Sequence, residues 1–495
     1  MQMNEKKYFV FFWLLYSLIT LVAVLNHEPN RDEAQVWLIV RDLNLSGIFS
    51  QINTEGHPCL WYLIVLPFAK LGLPYFTMQL LHWLIAVIAA GLFLFKAPLN
   101  KILKLLFVFS YLMLYQYSVV ARNYCIVILF LFLIATYYQK RFTKPYLYAL
   151  LLVGLYNSHV LAFGGAFALS LVYFIEARRN NQLNTLKFPL FIMLGGAVSL
   201  IIQLFPYSGA TANALIHTSH IPQLNINTWW ITLTSIQNAF IPVDSEYEEL
   251  KVALFFTIIL VLFIVSAIRK LPVFIFLLFT YCWILYVFTT IHSGSLKHQG
   301  LILIFIIFTL WISSYYTNKE NNLSKLIAKF INLDYLGKSV LIVVVLSLFI
   351  GLIYGFSSIK KEYRYEYSGS KSIAKYIIQN NLQSKEIACY RSWRATAVAP
   401  YLPNTKFWFI DRKEFGTYFI LDSVFNKDGD TLSEYDIIKR TKEKYNNQAL
   451  LLLNYPLTIP PDSTFEYHLL YQNEKLTWGT DDENFLLYEI NFNKK

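Results

Sequence analysis

Eleven stretches of this chain are apolar enough, over a suitable length, to cross a bilayer, and no other feature constrains its fold as much. A span needs about 17–25 apolar residues. Residues 8–25, 75–95, 105–120, 124–138, 188–205, 252–268, 273–290, 301–313 and 340–356 qualify, some by borrowing flanking residues. The stretch 146–175 is too long for one crossing, and its middle, "YNSHV", is polar. It reads as two short spans turning at Ser158 and His159. Runs of this length cross as helices, because lipid offers the backbone no outside hydrogen-bond partner. Composition agrees: 56% of the 495 residues are apolar and 15% charged, against about 25% charged in a soluble domain. The first run has a basic lead and no small-residue cleavage site, so it reads as a retained helix.

The stretch 60–71, interrupted by Pro67 and Lys70, is too short for a comfortable span. Lys and Arg in short loops mark the cytoplasmic side. If 60–71 lies in the interface, every basic cluster falls inside and the N-terminus is cytoplasmic; if it crosses, the bias reverses. The expectation is therefore about eleven transmembrane helices, with interfacial helices in a first outer loop, 27–74. The net charge of +11 then reports topology, and no nucleic-acid partner is expected. Four scattered cysteines, Cys59, Cys125, Cys282 and Cys389, suggest neither a disulfide framework nor a zinc site. The other outer segments are "QYSVVARNY", the loop 206–249 and "IHSGSLKHQG". A membrane domain at 1–359 is followed by an outer tail, 360–495. Its helical "KSIAKYIIQNNL" and short runs "EIACY", "TKFWFI", "QALLLLNYP", "FEYHLLYQ" and "NFLLYEI" predict a small α/β domain. "NKDGDTLSE" approaches a calcium loop but lacks its glycine and final spacing, so it reads as a surface turn. The aromatic, Lys/Asn/Ile-rich composition points to a low-GC bacterium, hence an inner or plasma membrane with the tail periplasmic or extracellular.

Chemistry-bearing residues gather on the outer side. Asp32 and Glu33 lead a short helix after the first span. Acids there favour the helix dipole, so a capped interfacial helix is one reading. A general base acting on an acceptor hydroxyl is the other. Arg122 and Tyr124 in "QYSVVARNY", and Lys297 and His298 in "SLKHQG", put cationic groups at the same depth. Cations there either reach to headgroups or stabilise a phosphate leaving group. His57 in "EGHP" and His159 and Asn157 in "YNSHV" read either as satisfied structural groups or as site residues. There is no Gly-rich phosphate loop, and no nucleotide donor is expected.

Four motifs, taken in order and on one side of the membrane, resemble polytopic glycosyltransferases of the GT-C class. That class includes protein O-mannosyltransferases and lipid A aminoarabinose transferase, of the family 39 type. "RDEAQVWLIVRDL" resembles the acidic motif of the first outer loop, and "EGHPCLWYLIVLPFAKLG" the surface helix that follows it. "QYSVVARNY" resembles an "E-A-R-x-Y" turn, and "SLKHQG" a late outer-loop element. The resemblance spans roughly 8–356 and says little of the tail. It implies Asp32 as catalytic aspartate with Glu33 beside it, and Arg122 on the donor phosphate, with His57 also facing the donor. Gln116 stands where the turn's acid belongs, or that acid is absent, so a divalent metal is left open. The implied reaction is inverting transfer of a sugar from a polyprenyl-phosphate donor to a hydroxyl of a glycan, lipid or protein acceptor. Other readings are a transporter or flippase, which predicts repeats and midplane broken helices, and a scaffold whose tail binds an envelope partner.

Overall fold

The computed structural model describes residues 5–204, 226–242, 249–291, 294–473, 478–479 and 483–492. Much of the expected outer loop 206–249, and part of "IHSGSLKHQG", lie outside the described residues. Among the described residues, seven helices are long and apolar enough to span a bilayer: Glu5–Asn26 (α1), Phe76–Lys96, Val160–Arg179, Leu183–Leu204, Leu271–Thr290, Leu296–Ser313 and Leu333–Arg364. That is fewer than the eleven expected. Tyr124–Lys140, Pro145–Tyr156 and Leu250–Ser266 match predicted runs but are shorter apolar helices.

The predicted span 105–120 is not a single helix. Lys101–Val108 ends at Phe109, a π-helical turn covers Leu112–Gln116, and no regular helix resumes before Tyr124. The broken stretch is buried in protein, where side chains serve its backbone. Ser118 Oγ donates to the Leu114 carbonyl, and Glu33 accepts from the Ala121 amide. A second correction lies within the expected loop: Ile226–Phe240 is a helix whose Ile236, Ala239 and Phe240 are buried.

After α1 come three short helices: Arg31–Asp42 (α2), Leu45–Glu55 (α3) and Leu60–Lys70 (α4). The helix α4 coincides with the stretch read as interfacial. Lys70 donates to the Arg41 carbonyl, placing a cation at the α2 C-terminus, where the dipole favours it.

The tail carries a six-stranded sheet, ordered β3-β2-β1-β4-β6-β5, from Ile387–Cys389 (β1), Phe407–Phe409 (β2), Glu414–Gly416 (β3), Gln448–Leu453 (β4), Phe465–Gln472 (β5) and Leu486–Phe492 (β6). β1 runs parallel to β2 and β4; the other pairs are antiparallel. In the near-calcium motif, Asp428 and Asp430 pair with Arg440 (3.0 Å) and Arg391 (2.5 Å). The sheet does not hang free of the membrane part. Val36, Ile39 and Val40 of α2, Trp61 and Val65 of α4, and Ile373, Phe407, Phe409 and Leu450 of the tail share one apolar core.

Candidate functional site

The start of α2 is built by Asn30. Its side chain accepts from the amides of Asp32 (3.0 Å) and Glu33 (3.2 Å), and Glu33 reaches back to the Asn30 amide (3.0 Å). This is a reciprocal capping box. Asp32 is therefore not the cap, and its carboxylate is left for other partners.

Those partners come from two distant segments and from the neighbouring Arg31. Lys297 Nζ lies 2.5 Å from Asp32 Oδ2. Arg122 donates from Nη1 to the Asp32 carbonyl (2.5 Å), and its Nη2 stands 4.0 Å from Oδ2. Arg31 Nε approaches Oδ1 at 3.5 Å. Burial would raise this carboxyl, but Lys297 and Arg122 hold it well below the usual carboxylate range. The Tyr117 hydroxyl donates to the Lys297 carbonyl (2.7 Å) and fixes the lysine. A side chain at Gly300 would strike Leu112 and that hydroxyl, so the turn packs this closely only with glycine.

His57 completes the cluster. Gly56, with φ of 68°, ends α3 in the left-handed region that glycine favours and turns the chain into "HP". Arg122 Nη2 stands 2.8 Å from His57 Nε2. A guanidinium only donates, so Nε2 accepts and the ring proton sits on Nδ1. Burial and the Arg122 charge push His57 down to about 3, which keeps the ring neutral. The Gly56 backbone also acts on the ring as a hydrogen-bond partner, and Arg122 Nε is buried without a hydrogen-bond partner among the described residues. A neutral imidazole and a cation thus lie beside the Asp32 carboxylate, and Arg122 keeps an unspent donor. Around them, the His159 ring lies 5.5 Å from His57, 4.8 Å from Tyr124 and 6.0 Å from His298. His159 Nδ1 accepts the Leu161 amide and His298 Nδ1 the Ser295 amide, so both Nδ1 atoms are spent on the backbone.

No known family, characterised protein or solved structure matches this chain.

The remaining expected site residues lie elsewhere. Glu33, expected beside Asp32, is turned away into a buried network. Its oxygens accept from Asn30 and Ala121, and Oε1 meets His27 Nε2 at 3.1 Å. His27 Nδ1 meets Glu362 at 3.0 Å, and the Tyr115 hydroxyl also donates to Glu362. Burial opposes a charge on His27, but the two carboxylates raise it to about 10. Gln116 accepts from the Tyr111 hydroxyl on the π turn. Asn157 is a bracket: its Oδ1 accepts from Gln203 (2.7 Å), whose Oε1 accepts the Cys59 amide (2.8 Å), docking the α4 start onto Leu183–Leu204. Among the described residues, no group of three His, Cys, Asp or Glu side chains is placed to hold a metal ion.

Sequence reading left the tail's role open, between binding acceptor and covering the site, and missed the tail residues that touch it. Arg31 lies 4.1 Å from the Trp393 ring centroid. Its amide donates to Glu483 (3.1 Å), whose carboxyl burial raises to about 7. It also missed His27, an ionisable residue just past the first apolar span, and Glu362, which lies in the charged run "KKEYR" and carries no such signal.

Proposed function

We propose that the chain transfers a sugar from a polyprenyl-phosphate donor to an acceptor hydroxyl at the membrane surface covered by the tail. The observation that carries this reading is the Asp32–Lys297–Arg122–His57 cluster. It combines a carboxylate with two cations and a neutral imidazole. The resemblance of "RDEAQVWLIVRDL" and "QYSVVARNY" to GT-C motifs supports the same assignment of Asp32 and Arg122.

In this mechanism the acceptor oxygen attacks the anomeric carbon and inverts it. The bond from that carbon to the phosphate oxygen breaks, and the polyprenyl phosphate leaves with the electron pair. The hydroxyl proton passes to Asp32. Lys297 and Arg122 stabilise the charge that gathers on the departing phosphate. The lipid-linked donor enters from the bilayer past α4.

Asp32→Asn is the decisive variant, assayed in vesicles with radiolabelled polyprenyl-phosphate sugars and a membrane extract as acceptor. A positioned base contributes roughly 10²–10⁴-fold, so transfer falls by at least a hundredfold while insertion and folding persist. A fully active Asp32→Asn removes the assignment. The broken backbone between Lys101–Val108 and Tyr124–Tyr137 is the feature a transporter would share. Sugar uptake by purified protein without product would favour that second reading.

A further inference from the structure

A cavity of about 440 Å³ opens at the other end of the bundle. The helices Val160–Arg179 and Leu296–Ser313 begin at the Asp32 side, next to His159 and at Lys297, and both end at this cavity. Leu271–Thr290 runs the opposite way, starting at the cavity. A helix of twenty residues is about 30 Å long, so the cavity and the Asp32 cluster lie near opposite surfaces of the bilayer.

Its lining has an excess of cations. Arg179, Arg269, Lys270 and Lys319 face two carboxylates, Glu176 and Glu320. Both carboxylates are engaged. Glu176 binds Arg141 (2.8 Å) and the Tyr316 hydroxyl (2.9 Å). Glu320 binds Arg269 (2.9 Å) and Ser324 (3.0 Å). Lys270 reaches only the Ser313 carbonyl (2.7 Å) and hydroxyl (3.0 Å), and burial lowers its affinity for a proton. Arg179 and Lys319 are exposed and form no ion pair among the described residues. Three cations from three segments thus surround one cavity without a counter-anion. Ile175 and Ile275 give it apolar walls continuous with two membrane-spanning helices.

We propose that this cavity is a phosphate-binding site that holds the headgroup of an anionic phospholipid, on the face opposite the Asp32 cluster. The phosphate meets Arg179, Lys270 and Lys319, and the acyl chains follow the apolar walls out into the leaflet. Basic pockets between membrane helices suit such headgroups. The inference does not depend on the transferase reading.

The test uses the purified full-length chain in detergent, titrated with phosphatidylglycerol, phosphatidylcholine or inorganic phosphate, with thermal unfolding and native mass spectrometry as readouts. Wild type binds phosphatidylglycerol in preference to phosphatidylcholine. The double variant Arg179→Gln/Lys319→Gln binds it about thirtyfold more weakly, with an unchanged melting temperature in phosphatidylcholine, because neither side chain is paired. Equal binding of the two lipids by wild type overturns the proposal, as does undiminished binding by the variant. Inorganic phosphate that binds as tightly as phosphatidylglycerol overturns the lipid as the source of the phosphate.

Discussion

A general base needs affinity for a proton, and Lys297 at 2.5 Å takes that affinity from Asp32. The two facts are reconciled if a donor phosphate competes for the same cations. Once Lys297 and Arg122 turn to the phosphate, Asp32 loses its counter-charges and becomes a better base when the acceptor arrives. In the proposed transfer the lysine would set the working pH. Asp32 stays ionised to well below pH 3.8, and if the chain is the proposed transferase the acid limb of its kcat/KM falls there. Lys297→Gln removes the largest charge holding the carboxyl down, so that limb moves to higher pH and the rate falls as well. A profile that loses height without moving would separate Lys297 from the ionisation of Asp32.

At the scale of elements, α2 owes its position to a buried ion-pair network. His27, Glu33 and Glu362 link the end of α1, the first turn of α2 and the last turn of Leu333–Arg364. A buried charged network is a doubtful source of net stability, yet removing one partner strands the others. His27→Ala leaves two buried carboxylates facing each other and lowers stability by about 3–5 kcal/mol, measured by thermal or urea unfolding in detergent. The sign against pH follows from the raised His27. Its stabilisation is complete below the unfolded value of 6.5 and is lost as pH climbs through about 10. Wild type and His27→Ala therefore converge in stability at high pH.

These elements differ in how openly the sequence announces them. Strands β1, β2, β4, β5 and β6 stand out as apolar runs between polar turns. Three-residue β3, with exposed Glu414 and Phe415, carries no such pattern. The helix Ile226–Phe240 hides because its inward side mixes polar with apolar groups: Thr232, Thr234, Ser235 and Gln237 are buried beside Ile236, Ala239 and Phe240. The run 105–120 misleads in the other direction, since apolar composition does not reveal a helix broken inside the protein. In the site, residue types were legible but partners were not. Asp32 and Lys297 are 265 positions apart, and no local pattern says that Lys297, rather than Glu33, sits beside the aspartate.

In the whole molecule, the tail and the short helices that follow α1 are one construction. Gln35 of α2 donates to the Phe419 carbonyl (2.7 Å) and accepts the Phe419 amide (3.1 Å). Glu483 holds the amide of Arg31, next to Asp32. The seam carries its own pH dependence. Burial raises Glu483 to about 7, so the folded state binds this proton more tightly than the unfolded chain, and stability falls as pH rises from the ordinary carboxylate range through 7. Glu483→Gln keeps an acceptor for Arg31 without the ionisation. The variant is more stable than wild type at pH 8 and gains nothing at pH 4, by thermal unfolding at the two pH values. An equal gain at both would place the effect in packing instead of charge.

The pairing of Gln35 with Phe419 also sets a clock for biosynthesis. The two residues lie 384 positions apart, and ribosomes add about 5–20 residues per second, so roughly 20–80 s separate their emergence. For that interval the part of α2 that packs on the tail is without its partner, although α4 already covers the rest. The membrane surface itself is the available shelter for an amphipathic helix. The bilayer that later holds the folded chain would first serve it as a chaperone.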